Sequence, residues 1–194
     1  MTRQQYADTF AAALRPLMPG GKFMQPEVDL LNQLAELAER RSTSARRVNE
    51  AGIKLMHEFE GLSLKAYPDP GSKDGTPWTI GRGATGPGIG PGVVWTEAQA
   101  DERFAADLAR FAQGVSEAIG DAPTTSNQFS AMVSLAYNIG LKAFAGSTLL
   151  RKHKAGDYAG ARAAFASWRM NDGKIMPGLV RRRAAEAALY GRSE

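Results

Sequence analysis

The chain has 194 residues, 43% of them hydrophobic and 23% charged, an ordinary globular composition with length for one full core and an appendage. It contains no cysteine, which excludes a disulfide framework, thiolate catalysis and cysteine-ligated zinc or iron–sulfur centres. Lysine and arginine exceed aspartate and glutamate by 24 to 20, a mild excess that suits an anionic partner and is equally the surface of any soluble protein.

Residues 1 to 18 place Tyr6, Phe10, Leu14 and Leu17 at helical spacing before Pro19-Gly20-Gly21 breaks the pattern. The apolar stretch Phe10 to Leu14 is far too short to span a bilayer, and Arg3 and Asp8 do not set up a cleavable signal peptide. A second helix is predicted from about Pro26, burying Val28, Leu30, Leu31, Leu34 and Leu37. The polar run from Arg40 to Arg47 reads as a linker. Residues 1–47 are therefore expected to be a helical extension and 48–194 the main domain.

In that domain Asn49 suits the N-cap of a helix carrying Ile53, Leu55, Met56 and Phe59 toward Glu60. The helical period then disappears. Short β-prone pieces, Leu64 to Tyr67 and Trp78 to Ile80, alternate with turn residues and read as a small hairpin lobe. Thr96 with Gln99 and Thr125 with Gln128 make capping boxes for two helices. The second carries Phe129, Met132, Val133, Ala136 and Ile139 on one stripe, stops at Gly140, and reads as the central core helix. Ser147 to Lys154, Asp157 to Trp168 and Pro177 to Tyr190 each read as helices, the last supported by Arg182 and Glu186 at four-residue spacing.

Several motifs fail the chemistry they suggest. Gly81-Arg82-Gly83-Ala84-Thr85-Gly86 matches a dinucleotide-binding pattern, yet a proline- and glycine-rich stretch follows where a phosphate-binding helix would have to begin. His57-Glu58 lacks the second histidine of a zinc peptidase, since Gly61 stands four residues on. Neither His57 nor His153 lies in the context of a serine triad. Arg181, Arg182 and Arg183 point different ways on a helix and lack interleaved aromatics, so ion pairing with Glu186 or a cleft carboxylate explains them at least as well as phosphate binding.

Glycoside hydrolysis needs two carboxyl groups across a sugar, one protonating the leaving oxygen and the other serving water or the developing positive charge. Glu60, at a helix end, and Asp69, in a turn between strands, fit that requirement, and Thr79 on the next strand offers a hydroxyl to hold water. Considered alone, a Glu at a helix end and an Asp before Pro-Gly are equally common structural residues.

The surrounding string is more specific. Glu60 to Asp69 (EGLSLKAYPD) followed by Trp78 to Gly83 (WTIGRG) resembles the signature of phage endolysins in glycoside hydrolase family 24, the phage-type lysozymes. The resemblance continues through Asn127 to Gly140, Ser147 to Leu150, Ala155 to Tyr158 and Pro177 to Glu186, and covers residues 48 to 194. It implies a lysozyme-like α+β fold, mainly α, with a hairpin lobe and a larger helical lobe. It implies cleavage of the β-1,4 bond between N-acetylmuramic acid and N-acetylglucosamine in peptidoglycan, without a cofactor or metal. The family carries a Glu-x8-Asp-x5-Thr triad, and the matching residues are Glu60 as general acid, Asp69 as the water-positioning carboxylate and Thr79 as a water-holding hydroxyl. Tyr137 and Asn138 match a segment lining the family's sugar cleft. Eight residues separate Glu60 from Asp69, as in the family, but nine separate Asp69 from Thr79. Ala84 stands where many members have a histidine.

The expected protein is thus a monomeric muramidase acting on peptidoglycan glycan strands, with inversion at the anomeric carbon. It would be made in the bacterial cytoplasm without a recognisable signal peptide and reach the wall by release or delivery. Its rivals are a glycan-binding scaffold that has lost turnover, a lytic transglycosylase and, more remotely, a basic nucleic-acid binder.

Overall fold

A computed structural model describes residues 2–43, 46–68 and 75–193. Asp69, one of the three catalytic residues expected from the sequence, lies outside the described residues. The chain divides into two compact units between residues 45 and 46.

The first unit is a helical hairpin. Helix α1 (Arg3–Leu14) opens with a capping box between Thr2 and Gln5. A short 3-10 turn at Arg15–Leu17 ends it, and the turn at Pro19–Gly21 reverses the chain with Gly20 at φ 66°. Helix α2 (Gln25–Thr43) has Pro26 near its start, and the Glu27 carboxylate accepts the Met24 N–H at 2.7 Å. It packs on α1 and buries Leu31 and Ala35. Leu30, Leu34 and Leu37, expected to be buried, are exposed. Successive helical residues are turned by about 100°, so one neighbouring helix covers the side carrying Leu31 and Ala35 and leaves the next stripe open. Helix α2 also continues through Arg40 to Thr43 into the stretch read as linker, arginine being a good helix former.

The second unit begins at Arg46, whose guanidinium donates to the Ala122 carbonyl at 3.2 Å. Helix α3 (Glu50–Glu60) is capped by Asn49, whose side chain accepts the Gly52 N–H at 2.9 Å. A Cβ on Gly52 would lie 2.6 Å from the Ser130 Cβ, so the absence of a side chain lets α3 sit tightly on the central helix. Strands β1 (Ser63–Pro68) and β2 (Trp78–Gly81) pair antiparallel, with Tyr67 opposite Thr79 and Pro68 opposite Trp78. A glycine-rich loop follows and returns through a bridge between Lys65 and Val94.

Helix α4 (Glu97–Ile119) and helix α5 (Ser126–Ile139) begin with the two capping boxes expected from Thr96 and Thr125. Helix α5 is buried on every side from Phe129 to Ala136, which makes it the axis of the core. Val115 and Ile119 of α4 pack there with Phe144, Leu149, Phe165 and Leu189. Short helices α6 (Leu141–Ala145), α7 (Thr148–Lys154) and α8 (Tyr158–Ala164) follow, then a 3-10 turn at Phe165–Trp168. The segment read as one helix from Asp157 to Trp168 thus tightens after Ala164. A two-residue hairpin, β3 (Met170–Asn171) with β4 (Lys174–Ile175), leads into helix α9 (Pro177–Tyr190), which packs along α5. The architecture is mainly helical with a small antiparallel lobe, the α+β arrangement expected. Among the described residues no helix is long and apolar enough to cross a membrane.

Candidate active site

Glu60 is the last residue of α3. Gly61 follows at φ 65° and its N–H closes the helix on the His57 carbonyl at 3.2 Å, a backbone conformation that favours glycine. The Glu60 side chain is 14% exposed and its Oε1 stands 2.6 Å from Nη1 of Arg182, itself 5% exposed. The carboxylate is therefore reachable from outside but held from one side by a buried guanidinium.

Arg182 is anchored in turn. Its Nε donates to Glu186 Oε1 at 3.1 Å and its Nη2 donates to the Ser134 carbonyl on α5 at 3.2 Å. Glu186 is fully buried. It accepts the Ser134 hydroxyl at 2.8 Å and Arg183 Nη2 at 2.9 Å, and its Oε2 lies 2.8 Å from Arg183 Nε. Burial pushes the Glu186 carboxyl above its ordinary range, while the guanidiniums of Arg183 and Arg182 and the Ser134 hydroxyl oppose that shift. Burial also lowers Arg183, against the attraction of Glu186. Buried charges persist only when paired, and here Glu60 pairs with Arg182 while Glu186 pairs with both Arg182 and Arg183.

From the opposite side, the turn after β2 closes on Glu60. A Cβ on Gly83 would lie 2.9 Å from Glu60 Oε2, and Gly83 has φ 86°. Tyr137 stands beside the same turn, its hydroxyl donating to the Arg82 carbonyl at 3.1 Å. Burial, with the nearby charges of Glu60 and Asp107, pushes its phenol well above the ordinary tyrosine range, although Arg103 and Arg110 oppose this. Tyr137 is thus a neutral donor at physiological pH. Its ring rests against Phe104 and Phe111 of α4. The Arg82 guanidinium is taken up by Asp101 at 3.0 Å.

Thr79 lies on β2, half-buried, opposite Tyr67. Pro68 pairs with Trp78, so Thr79 stands one pair in from the end of the described ladder. Asn138 is exposed on the last turn of α5, next to Tyr137. Ala84 is buried and exchanges both backbone hydrogen bonds with Ile80 at 2.9 Å, so a small side chain fills the position. Among the described residues no cluster of histidine, aspartate and glutamate could hold a metal ion.

The structure brings Glu60, Tyr137 and the Gly83 turn together and adds three residues that were not singled out for the site: Ser134, Arg183 and Glu186. Pairing of the α9 arginines with Glu186 or a cleft carboxylate was expected from the sequence and is what the structure shows, but nothing local in the sequence says which arginine reaches Glu60 from more than 120 residues away or that Ser134 joins them.

A mainly helical unit, a small hairpin lobe and a carboxylate at their junction define a lysozyme-like protein. Residues 57–186 match the family model described as phage lysozyme. The chain is 43% identical over 145 residues to the endolysin of Bacillus phage PZA, covering 74% of this chain and 55% of that protein. It is 40% identical over 147 residues to the endolysin of Acyrthosiphon pisum secondary endosymbiont phage 1, covering 74% of this chain and 97% of that one. The solved endolysin from Escherichia coli O157:H7 phage FAHEc1 superposes with a TM-score of 0.66 at 36% identity, over 75% of this chain and 93% of that chain. The chain spans about half the length of the Bacillus phage relative. It belongs to the phage lysozyme family, and the enzyme class expected from the sequence, a lysozyme-type hydrolase, is the one this family defines.

Proposed function

We propose that the second unit is a peptidoglycan hydrolase that cleaves the β-1,4 bond between N-acetylmuramic acid and N-acetylglucosamine, with Glu60 as its general acid. The observation that carries this reading is the setting of Glu60: a helix-terminal carboxylate, 14% exposed, aimed by Arg182 and enclosed by the Gly83 turn at the edge of the hairpin lobe. Endolysin relatives over most of the chain support the same substrate.

The reaction runs in one displacement. Glu60 gives its proton to the glycosidic oxygen as the bond from that oxygen to the anomeric carbon breaks, and the carboxylate left behind is stabilised by Arg182. Water held by Thr79 attacks the anomeric carbon from the opposite face and passes a proton to Asp69, which inverts the configuration. Tyr137 and Asn138 contact the glycan. No cofactor or second subunit takes part, and the protein reaches the wall after release or delivery from the cytoplasm.

NMR of the first-formed sugar anomer tests the stereochemistry. The α-anomer at early times is the expected product; a β-anomer would assign Asp69 a nucleophilic role instead, and an anhydro-sugar would mean transglycosylation.

A further inference from the structure

The carboxylate of Glu186 does not reach the cleft: it is fully buried behind Arg182. Each group that addresses its two oxygens is a donor or a cation, namely the Ser134 hydroxyl, Nε of Arg182, and Nε and Nη2 of Arg183. That pattern suits a carboxylate and leaves no acceptor for a carboxylic acid proton. Three donors converge on its Oε1, and its Oε2 faces Arg183 Nε at 2.8 Å, an arrangement that suits an ionised Glu186 one guanidinium away from Glu60.

The charge balance around Glu60 follows. Helix α9 presents Arg182 in contact, Arg183 nearby and Glu186 behind them. Helix α5 presents Tyr137, neutral for the reason given above. The turn after β2 presents Arg82, whose charge is matched by Asp101 of α4. On α3 itself, burial and then Arg82 lower the His57 pKa, against Asp101. With Glu186 ionised, a protonated Glu60 sits beside a cluster of net charge one. Without it the cluster carries two positive charges, and added positive charge favours the ionised form of a neighbouring carboxyl group.

We propose that Glu186 is a positioning residue for the acid step: it cancels one charge of the Arg182–Arg183 pair so that Glu60 can be aimed by a guanidinium and still carry the proton it delivers. A salt bridge alone would favour the ionised form and disarm a general acid. A second, buried carboxylate lets the same guanidinium provide aim without that loss. The proposal rests on the reading of Glu60 as the acid.

The test is the pH dependence of reducing-end release from purified sacculi for four variants, each checked for folding by circular dichroism. Glu60→Gln is the control for the underlying reading: it should abolish turnover at every pH, and persistent turnover would remove the acid role itself. In Glu186→Gln the alkaline limb of kcat should move toward acid by about one pH unit, with KM unchanged because Glu186 does not touch the glycan. In Arg183→Met the limb should move the other way. The double variant Glu186→Gln/Arg183→Met should return it close to the wild-type position, and replacing a buried ion pair by neutral residues is often tolerated. A purely structural role predicts a uniform fall in rate with all limbs in place, and that result overturns the proposal. If Glu186→Gln does not fold, Arg183→Met and the double variant decide: an alkaline shift in the first, reversed in the second, supports it, and an unmoved limb in both overturns it.

Discussion

Gly83 and Glu60 are so close that a methyl group on the glycine would lie 2.9 Å from the glutamate Oε2. The position also has φ 86°, so an L side chain there is strained as well as crowded. Gly83→Ala should displace the Glu60 carboxylate and lower kcat by roughly tenfold to a hundredfold. The nearby β-lobe pairing should persist, so circular dichroism should change little while sacculus hydrolysis falls.

Removing the guanidinium on the other side of Glu60 has a different signature. Arg182→Met leaves Glu60 facing an apolar group and deprives buried Glu186 of one of its two cations, a change expected to destabilise by about 3–5 kcal/mol. At about 2–4 °C per kcal/mol for a protein of this size, calorimetry should show Tm falling by roughly 6–20 °C. Arg182→Lys should recover only part of this, because an ammonium cannot reach Glu60, Glu186 and the Ser134 carbonyl in the fixed geometry of a fork.

The hairpin strands and the capped helices were legible because their signals are local. Thr96 with Gln99, Thr125 with Gln128 and Asn49 each close a helix start within a few residues, and β1 and β2 are bounded by turn residues. The burial of Leu30, Leu34 and Leu37 was not legible, since it depends on how many neighbours α2 has and not on its own pattern. Helix α6 and the β3–β4 hairpin are too short to impose a period. Glu60 was found through its motif. Pairing of the α9 arginines with Glu186 or a cleft carboxylate was legible too, but the choice of Arg182 for Glu60 and the part of Ser134 were not, because they depend on the packing of α9 on α5.

His153 gives the folded state a pH dependence away from the cleft. Its Nε2 lies 2.8 Å from the Thr124 hydroxyl and its Nδ1 lies 2.6 Å from the Tyr190 hydroxyl. Thr124 donates its one proton to the Ala122 carbonyl at 2.7 Å, so Nε2 must be the donor and Nδ1 accepts from Tyr190. Burial, followed by the charge of Arg46, lowers the His153 pKa. The unfolded chain therefore takes up the proton more readily than the folded one. The associated stability is complete above the ordinary histidine range, about pH 6.5, and is lost as pH falls toward the depressed folded value. Urea titrations should show a lower midpoint at pH 5 than at pH 7.5, with a smaller difference in His153→Gln.

Tyr137→Phe removes the hydrogen bond to the Arg82 carbonyl and leaves the ring stack intact. A loss of about 1 kcal/mol is expected, together with a loosened turn at Gly83. Sacculus hydrolysis should fall several-fold, by more than thermal stability alone would explain at 25 °C.

The central claim is that Glu60 donates the proton that breaks the glycan, and mass spectrometry of fragments released from purified peptidoglycan tests it most directly. The wild type should release reducing muropeptides, and Glu60→Gln should release none while remaining folded and still sedimenting with the same sacculi. Equal release by both proteins would contradict the assignment of Glu60, and no release by either, with binding retained, would make the protein a glycan-holding scaffold.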